Sequence, residues 1–228
     1  MDPHSTPAFA ASLSEAPFRR YVNRYGGQRQ LAIRLYAWNI EVSSAFWGPI
    51  GVLEVMLRNR IHDALRKGRS DAWWYDGVNL AHREAIGLQT TIKRLFDRTG
   101  REPSPDEVVG ASTFGFWVGL TGSGVPRHPL FSYETALWQP RLRHAFSGLG
   151  GVSRKELHAQ LDGVRAFRNR IAHHEPVYAM NLPSMRDKIV RCASYLDRDV
   201  ADYIAASHRI DVALTRQKEV ISSGTCVL

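Results

Sequence analysis

The sequence has little cysteine and no long apolar run. Only Cys192 and Cys226 are cysteines among its 228 residues, too few for a disulfide framework or a zinc ribbon, which favours a reducing compartment. The longest apolar runs, such as residues 114–120, are too short to span a bilayer. The N-terminal segment contains acids and prolines where a signal peptide has a basic region and then an apolar one. We therefore expect a cytoplasmic protein with no membrane partner.

Other absences exclude classes of fold and enzyme. The sequence contains no Walker loop, no GxGxxG motif and no GxSxG elbow, which are the minimum parts of P-loop NTPase, dinucleotide-binding and serine-hydrolase sites. It also lacks a run of alternating Val, Ile and Thr bounded by an Asn-Gly or Asp-Gly turn, so strand signals are scarce. No unit of solenoid length repeats along the chain.

The sequence does contain an excess of positive charge. It has 30 Lys and Arg residues against 22 Asp and Glu residues, a formal net charge of +8, and 44% of its residues are hydrophobic. These values are typical of a globular chain with a real core. The basic excess permits a polyanionic partner such as nucleic acid without requiring one.

Helical patterns recur along the chain, so we expect an all-α fold. Gly48-Pro49 is expected to end a first helix, and Asn79 to cap a third. Ser104 and Ser153, each followed by a glutamate three residues on, predict capping boxes. We expect helices over residues 28–46, 49–67 and 79–98, from 104 onward, and over 132–146 (interrupted at Pro140), 153–174 and 183–220. Residues 112–120 are expected to form a short buried segment, and residues 122–129 a loop. Residues 1–27 are expected to form an N-terminal arm, 28–220 one helical domain and 221–228 a frayed tail.

The segment over residues 157–176, LHAQLDGVRAFRNRIAHHEP, carries the most information about function. On a helical wheel its apolar residues form a stripe about 120° wide, made up of Leu157, Leu161, Val164, Phe167 and Ile171. Arg168 falls within that stripe. Because burying an unpaired charge costs several kcal/mol, Arg168 must be paired or lie at a cleft. Asn169 and His173 are four residues apart and flank the stripe.

These residue types suit phosphodiester chemistry. An arginine binds phosphate with two hydrogen bonds and keeps its charge, while an imidazole exchanges protons near neutral pH. His173 could deprotonate an RNA 2′-hydroxyl or protonate the leaving 5′-oxygen, with Arg168 stabilising charge on phosphorus. The structural alternative is a salt-bridged or solvated pair, which such spacing more often means.

Residues 168–173, RNRIAH, match the R-N-x-x-x-H signature of the HEPN superfamily. With LYAWN at 35–39, LEVMLRNRIHDAL at 53–65, STFGFWVGL at 112–120 and FRNRIAHHEPV at 167–177, the chain resembles the Abi-like (abortive infection) branch over roughly residues 31–177. The resemblance implies a HEPN-like antiparallel helical bundle with additional helices. It also implies a metal-independent endoribonuclease that leaves 2′,3′-cyclic phosphates and acts as a toxin or in antiphage defence. Arg168, Asn169 and His173 correspond to its catalytic positions, and no cofactor is implied.

The resemblance further implies a homodimer in which two signature helices meet. Arg168 and His173 are about 140° apart on the wheel, which is awkward for one substrate atom within one protomer. A second copy of the helix would let the arginine of one chain meet the histidine of the other. An antitoxin or another regulatory partner is also possible within this function.

Further residues are candidates for supporting the site or binding RNA. Glu54, Arg58 and His62 are spaced by four residues on the second helix, where Glu54 or Arg58 could support the signature helix and Arg58 and Asn59 could hold RNA. Solvated ion pairing is the alternative.

Near the signature, Arg165 and Arg170 could follow phosphates or form a solvated face. His173, His174 and Glu175 do not form a metal motif, because HExxH would need histidine at position 178, which is Tyr178. Glu175 is expected to pair with an arginine, such as Arg168 two turns back, or to orient His174. We expect no metal site.

Two other functions remain open from the sequence. One is a HEPN-like module that binds RNA or a nucleotide without cleaving it. The other is an interaction partner in a defence system, in which Arg168 forms a buried ion pair at an interface.

Overall fold

The computed structural model describes residues 15–227, without the side chains of residues 15–17. Within this range the chain is helical and has no β-strand, which confirms the predicted all-α class. An isolated bridge pairs Gly124, within residues 122–129, with Ser132. The α-helices are α1 (Glu15–Arg24), α2 (Arg29–Arg66), α3 (His82–Thr99), α4 (Pro105–Ala111), α5 (Phe114–Leu120), α6 (Arg154–Ala172), α7 (Leu182–Leu196), α8 (Arg198–Ser207), α9 (Ile210–Thr215) and α10 (Gln217–Ser223).

The predicted break at Gly48-Pro49 is wrong, because α2 runs through Pro49 without ending. A proline inside a helix removes one backbone hydrogen bond and costs about 3 kcal/mol. Phe46, Ile50 and Leu53 have no exposed surface, so burial on both sides of the proline offsets that cost. A rule based on neighbouring residues alone counts the cost of the proline but not the burial that offsets it.

Helix α2 is also long and apolar enough to cross a membrane by length and composition, with one window of mean hydropathy 1.3. The longest uninterrupted apolar runs did not reveal this, because polar residues divide the helix into short stretches. The core helix of a soluble protein meets the same criterion, and Leu53, Leu57, Ile61 and Leu65 on α2 are fully buried. This composition is therefore compatible with a soluble protein.

Both capping boxes are confirmed. Ser104 and Glu107 cap α4 reciprocally, and Ser153 and Glu156 do the same for α6 through bonds of 2.9 and 3.3 Å. The cap expected at Asn79 is wrong. Helix α3 begins at His82, and Ala81 is its N-cap residue. The backbone N–H of Ala81 donates a hydrogen bond to the hydroxyl of Tyr133.

Two expected long helices are divided into shorter pieces. Residues 132–146 contain one π-helical turn (Glu134–Trp138) and one 3-10 turn (Leu142–Ala145) on either side of Pro140. The region expected from 183 to 220 consists of α7 to α10. Asp197 separates α7 from α8, and its carboxylate accepts hydrogen bonds from the N–H groups of Asp199 and Val200.

The chain divides into two compact units, which the sequence did not indicate. The first consists of the described parts of Met1–Gly51, Ala166–Val190 and Tyr203–Leu228. Its core includes Val42, Phe46, Phe167 and Val177, none more than 1% exposed. The rings of Phe46 and Phe167 meet edge to face with centroids 4.8 Å apart, so α2 and the end of α6 pack directly.

The flanks of the chain contribute to this first unit. Within the expected N-terminal arm, α1 buries Phe18 and Tyr21, and the Tyr21 ring lies 5.1 Å from that of Tyr178. Within the expected tail, the carbonyl of Ile221 accepts a hydrogen bond from Arg34 at 3.0 Å. Both flanks therefore carry packed residues inside the described range.

The second unit consists of Val52–Arg165 and Arg191–Asp202. Helix α3 packs against α4 and α5 there. The short segment expected to be buried at 112–120 is buried, with Trp117 and Val118 each 1% exposed. The hydroxyl of Tyr133 donates a hydrogen bond to the buried side chain of Glu84 at 3.0 Å, so this buried polar group has a partner.

Candidate active site on the signature helix

The predicted apolar stripe of α6 is confirmed. Leu157, Leu161 and Val164 have no exposed surface, and Phe167 and Ile171 are 1% and 4% exposed. The 3.6-residue period therefore identified the buried face of this helix correctly. Residues 168–173, the signature segment, begin on its last turn and end just beyond it.

Helix α6 ends at Ala172, so His173 and His174 lie in the following turn rather than inside the helix. The N–H of Glu175 donates to the carbonyl of Arg170 at 2.8 Å, and the N–H of His174 donates to that of Ile171 at 3.0 Å. This pair of bonds is a Schellman motif. It places His174 in the left-handed conformation, with φ 54°, where glycine is the usual residue.

Replacing His174 with glycine is expected to raise the free energy of unfolding by about 0.5–1 kcal/mol, because relief of left-handed strain exceeds the added chain entropy. Urea unfolding with the midpoint and slope fitted together measures the change. His174→Val is the contrasting variant and should destabilise, since β-branched residues resist positive φ. A glycine variant less stable than wild type would show that the imidazole itself stabilises the turn.

Arg168 is half-buried on the last turn of α6. Its guanidinium carbon lies 5.4 Å from the ring centroid of Trp47 on α2, within the range of a cation–π interaction. Trp47 is 40% exposed, so the arginine lies where α2 and α6 meet the surface. The cation predicted within the apolar stripe thus has an aromatic partner.

His173 and Asn169 occupy different environments. The His173 side chain is exposed, and its backbone N–H continues the helical pattern by donating to the carbonyl of Asn169 at 2.9 Å. The Asn169 side chain is half-buried. One helix end thus presents a partly buried cation and a solvent-accessible imidazole.

Glu175 pairs with Arg170, one of the two kinds of partner expected for it. The carboxylate lies 3.6 Å from the Arg170 Nε, and the same guanidinium donates to the carbonyl of Pro176 at 3.1 Å. Arg170 therefore fastens the chain that leaves the signature segment. The Arg170 side chain makes both of these contacts, and because it is only half-buried, part of it is still exposed to solvent.

Asn39 holds the next part of that chain. Its side-chain oxygen accepts hydrogen bonds from the N–H groups of Val177 at 2.8 Å and Tyr178 at 3.1 Å. Asn39 is 3% exposed. Because the two backbone donors determine which end of the amide is oxygen, they orient the amino group as well. Asn39 thus fixes the chain that leaves the turn carrying His173.

Substituting Asn39 with alanine is expected to cost about 2–4 kcal/mol of unfolding free energy, because two backbone N–H groups lose their acceptor. Urea unfolding followed by circular dichroism measures the loss. Ser43→Ala is the matched control. This polar residue is one turn further along α2 and 9% exposed, and its loss should cost less than about 1 kcal/mol. Equal losses in both variants would contradict the clamp.

A pocket of about 330 Å³ lies beside the signature segment within the first unit. Its lining includes Tyr36, Asn39, Ser43, Trp47, Ile171 and His174. Aromatic rings, hydroxyls and an amide therefore surround a space at the lower end of the range for small ligands. His174 lines this pocket, and His173 is exposed on the same turn.

The other candidate residues belong to the second unit. Glu54 and Arg58 are half-buried and Asn59 is exposed. Arg58 donates to the side chain of Asn59 at 3.3 Å and, more weakly, to the carbonyl of Gly110 at 3.5 Å. Arg165 forms an ion pair with Asp162 at 2.7 Å.

His62 has a structural environment in this unit. It is 8% exposed, and its Nδ1 accepts a hydrogen bond from the indole N–H of Trp73 at 3.1 Å. Burial lowers the pKa of His62, and the neighbouring Arg66 lowers it further. Both effects favour the neutral ring, which suits the acceptor role.

Sequence reasoning gave no role in the site to Trp47 or Asn39. Trp47 is one of six tryptophans, and four others, Trp38, Trp73, Trp117 and Trp138, are buried. Asn39 appeared only within the LYAWN block. A buried asparagine on an apolar helix face was the available signal, since such a side chain needs hydrogen-bond partners.

Among residues 15–227, no three His, Cys, Asp or Glu side chains gather in a group that could hold a metal ion. Comparisons of the chain with protein-family models, curated proteins and solved structures found no match in any of the three.

Proposed function

We propose that this chain is a metal-independent endoribonuclease of the HEPN type, with a HEPN-like helical bundle. One observation carries the proposal. The last turn of α6 holds Arg168 half-buried against Trp47, and the turn that follows presents an exposed His173. A fixed cation and an accessible imidazole at one helix end are the groups that cleavage of RNA without a metal needs.

The proposed reaction uses the RNA 2′-hydroxyl as nucleophile. Its proton passes to a general base as the 2′-oxygen attacks phosphorus, and the bond from phosphorus to the 5′-oxygen breaks as that oxygen receives a proton. His173 serves as general base or general acid, Arg168 stabilises charge on the phosphate, and Asn169 orients the substrate or the imidazole. The products carry a 2′,3′-cyclic phosphate and a 5′-hydroxyl.

The proposal includes a homodimer with apposed signature helices. The separation of Arg168 and His173 by about 140° on a helical wheel favours a site that takes one residue from each chain. A strictly monomeric active form in light scattering would contradict it.

Substrate binding completes the proposal. Arg165, Arg170 and Arg58 supply positive charge for phosphates, and the pocket beside the signature segment could receive a nucleobase against Trp47. The biological role proposed is that of a toxin or abortive-infection effector in the cytoplasm, with an antitoxin or regulatory partner possible.

The experiment incubates the purified protein with RNA, and with DNA of the same sequence, in excess EDTA. We expect RNA fragments with 5′-hydroxyl ends that polynucleotide kinase labels directly, and intact DNA, because the reaction requires the 2′-hydroxyl. Cleavage that leaves 3′-hydroxyl ends, or that requires added magnesium, would contradict the proposal. Binding of RNA without cleavage would instead support the non-catalytic module.

A further inference from the structure

Two pockets of the second unit share His144 in their linings. One has a volume of about 640 Å³ and includes Arg60, Lys67 and Arg141. The other has a volume of about 770 Å³ and includes Arg143 and Lys155. We refer to the two together as the basic groove. Because His144 belongs to both linings, the two pockets adjoin.

The basic groove carries an excess of positive charge. Six lysine and arginine residues line it, against the two carboxylates Asp63 and Glu134. A third carboxylate, that of Asp197, pairs with Arg60 at 2.8 Å. With it included, the groove has a formal excess of three positive charges, compared with a net charge of +8 for the whole chain. Each of the other pockets described for residues 15–227 is lined by at most two lysine and arginine residues.

The acidic residues are already engaged. Asp63 pairs with Arg66 at 2.9 Å, and Glu134 pairs with Arg154 and accepts a hydrogen bond from Gln139 at 2.7 Å. Those pairings neutralise the carboxylates that would otherwise repel an anion.

Four of the six cations, by contrast, remain available. Within residues 15–227, no ion pair involves Lys67, Arg141, Arg143 or Lys155. Arg141 donates to the carbonyl of Lys67, which fixes one wall of the groove while leaving the charge unneutralised. Lys67, Arg143 and Lys155 are exposed. Uncompensated cations on a concave surface attract anions more strongly than the same charges on a convex one.

The shape and the chemistry of the groove indicate the kind of anion. Each pocket is larger than a single phosphate requires, and the two adjoin, so a chain of phosphates fits better than one. The aromatic residues of the lining, Trp138 and Phe146, are only 5% and 3% exposed, so they offer little surface for stacking bases. Contacts to phosphates without base stacking position a nucleic acid without reading its sequence.

We propose that the basic groove binds the phosphate backbone of single-stranded RNA, independently of sequence, as a second contact surface for the substrate. The choice of RNA rests on the proposed ribonuclease function. The groove itself is defined by its cations alone, so binding can be tested apart from cleavage.

The test measures binding of a fluorescein-labelled single-stranded RNA to the His173→Ala protein by anisotropy over a series of KCl concentrations. In the groove variant, Arg143→Gln with Lys155→Gln, the slope of log affinity against log salt should become shallower by about 1.4, since each lost phosphate contact removes about 0.7 for single strands. Uridine-rich and adenosine-rich RNAs should lose affinity equally.

The matched control is Arg98→Gln with Arg127→Gln, which removes the same charge from two exposed positions of the second unit outside these pockets. The control should retain the wild-type slope. An unchanged slope in the groove variant, or an equal change in the control, would overturn the inference while leaving the ribonuclease proposal intact. Binding of polyglutamate without binding of RNA would overturn it in favour of an acidic protein partner. If the wild-type protein does not cleave RNA but the groove variant still shows the shallower salt slope, only the proposed function is refuted.

Discussion

Replacing His173 with alanine is expected to lower the rate of RNA cleavage about 10²–10⁴-fold, the usual contribution of a general acid or base. The exposed side chain lies beyond the end of α6 and contributes little to the core, so the helical fold should survive. Single-turnover cleavage at saturating protein measures the rate constant directly. Circular dichroism and the urea midpoint report whether the fold is intact.

The matched control for His173 is His82→Ala. His82 is an exposed histidine at the first position of α3 in the second unit, and its loss should leave the cleavage rate within about twofold of wild type. His173→Gln tests whether hydrogen bonding alone suffices, and it should be as slow as the alanine variant. A cleavage rate that survives in His173→Ala would remove this residue from the mechanism.

Replacing Arg168 with alanine is expected to lower cleavage about 10²–10³-fold, because a positioned donor at the transition-state charge is lost. Arg168→Lys should recover only part of that rate, since an ammonium neither binds phosphate through a planar fork nor stacks on Trp47 in the same way. Measurement under single-turnover conditions separates this effect from weaker substrate binding.

A structural role for Arg168 would give a different pattern. The cation–π contact with Trp47 contributes about 0.5–2 kcal/mol, so Arg168→Ala and Trp47→Leu should destabilise the protein by similar amounts. Only the arginine variant should lose cleavage to the full extent. If both variants lose the same activity in proportion to lost stability, Arg168 acts through the fold and not on the phosphate.

Mixing the two inactive proteins tests whether the site is shared between chains. A heterodimer of Arg168→Ala and His173→Ala contains one complete site if the arginine of one chain works with the histidine of the other. Random exchange of subunits should then restore about a quarter of wild-type activity. A mixture that exchanges subunits and stays inactive would place each complete site within one protomer.

Local rules predicted the elements of the fold that depend on neighbours in sequence. The buried stripe of α6 follows from the 3.6-residue period of Leu157, Leu161 and Val164. The caps at Ser104 and Ser153 follow from side chains that reach backbone donors three residues away. In each case the interacting groups lie within one turn of helix, so the spacing in sequence is sufficient.

The same rules failed at three positions. Pro49 does not end α2, because fully buried side chains before and after it stabilise the continuous helix. Asn79 does not cap α3, because the helix starts beyond Ala81. Helix α6 ends at Ala172 because His174 adopts a left-handed conformation that the spacing of apolar residues does not reveal.

The sequence by itself determined the all-α class and identified the helix that carries Arg168 and Asn169 and leads into the turn of His173. Only the tertiary structure decided the surroundings of those residues. Trp47 lies far from Arg168 along the chain yet contacts its guanidinium, and Asn39 holds Val177 and Tyr178 from another helix. Periodicity reports which face of a helix is buried, but the partner that covers that face depends on contacts between distant segments, and these form only when the helices pack.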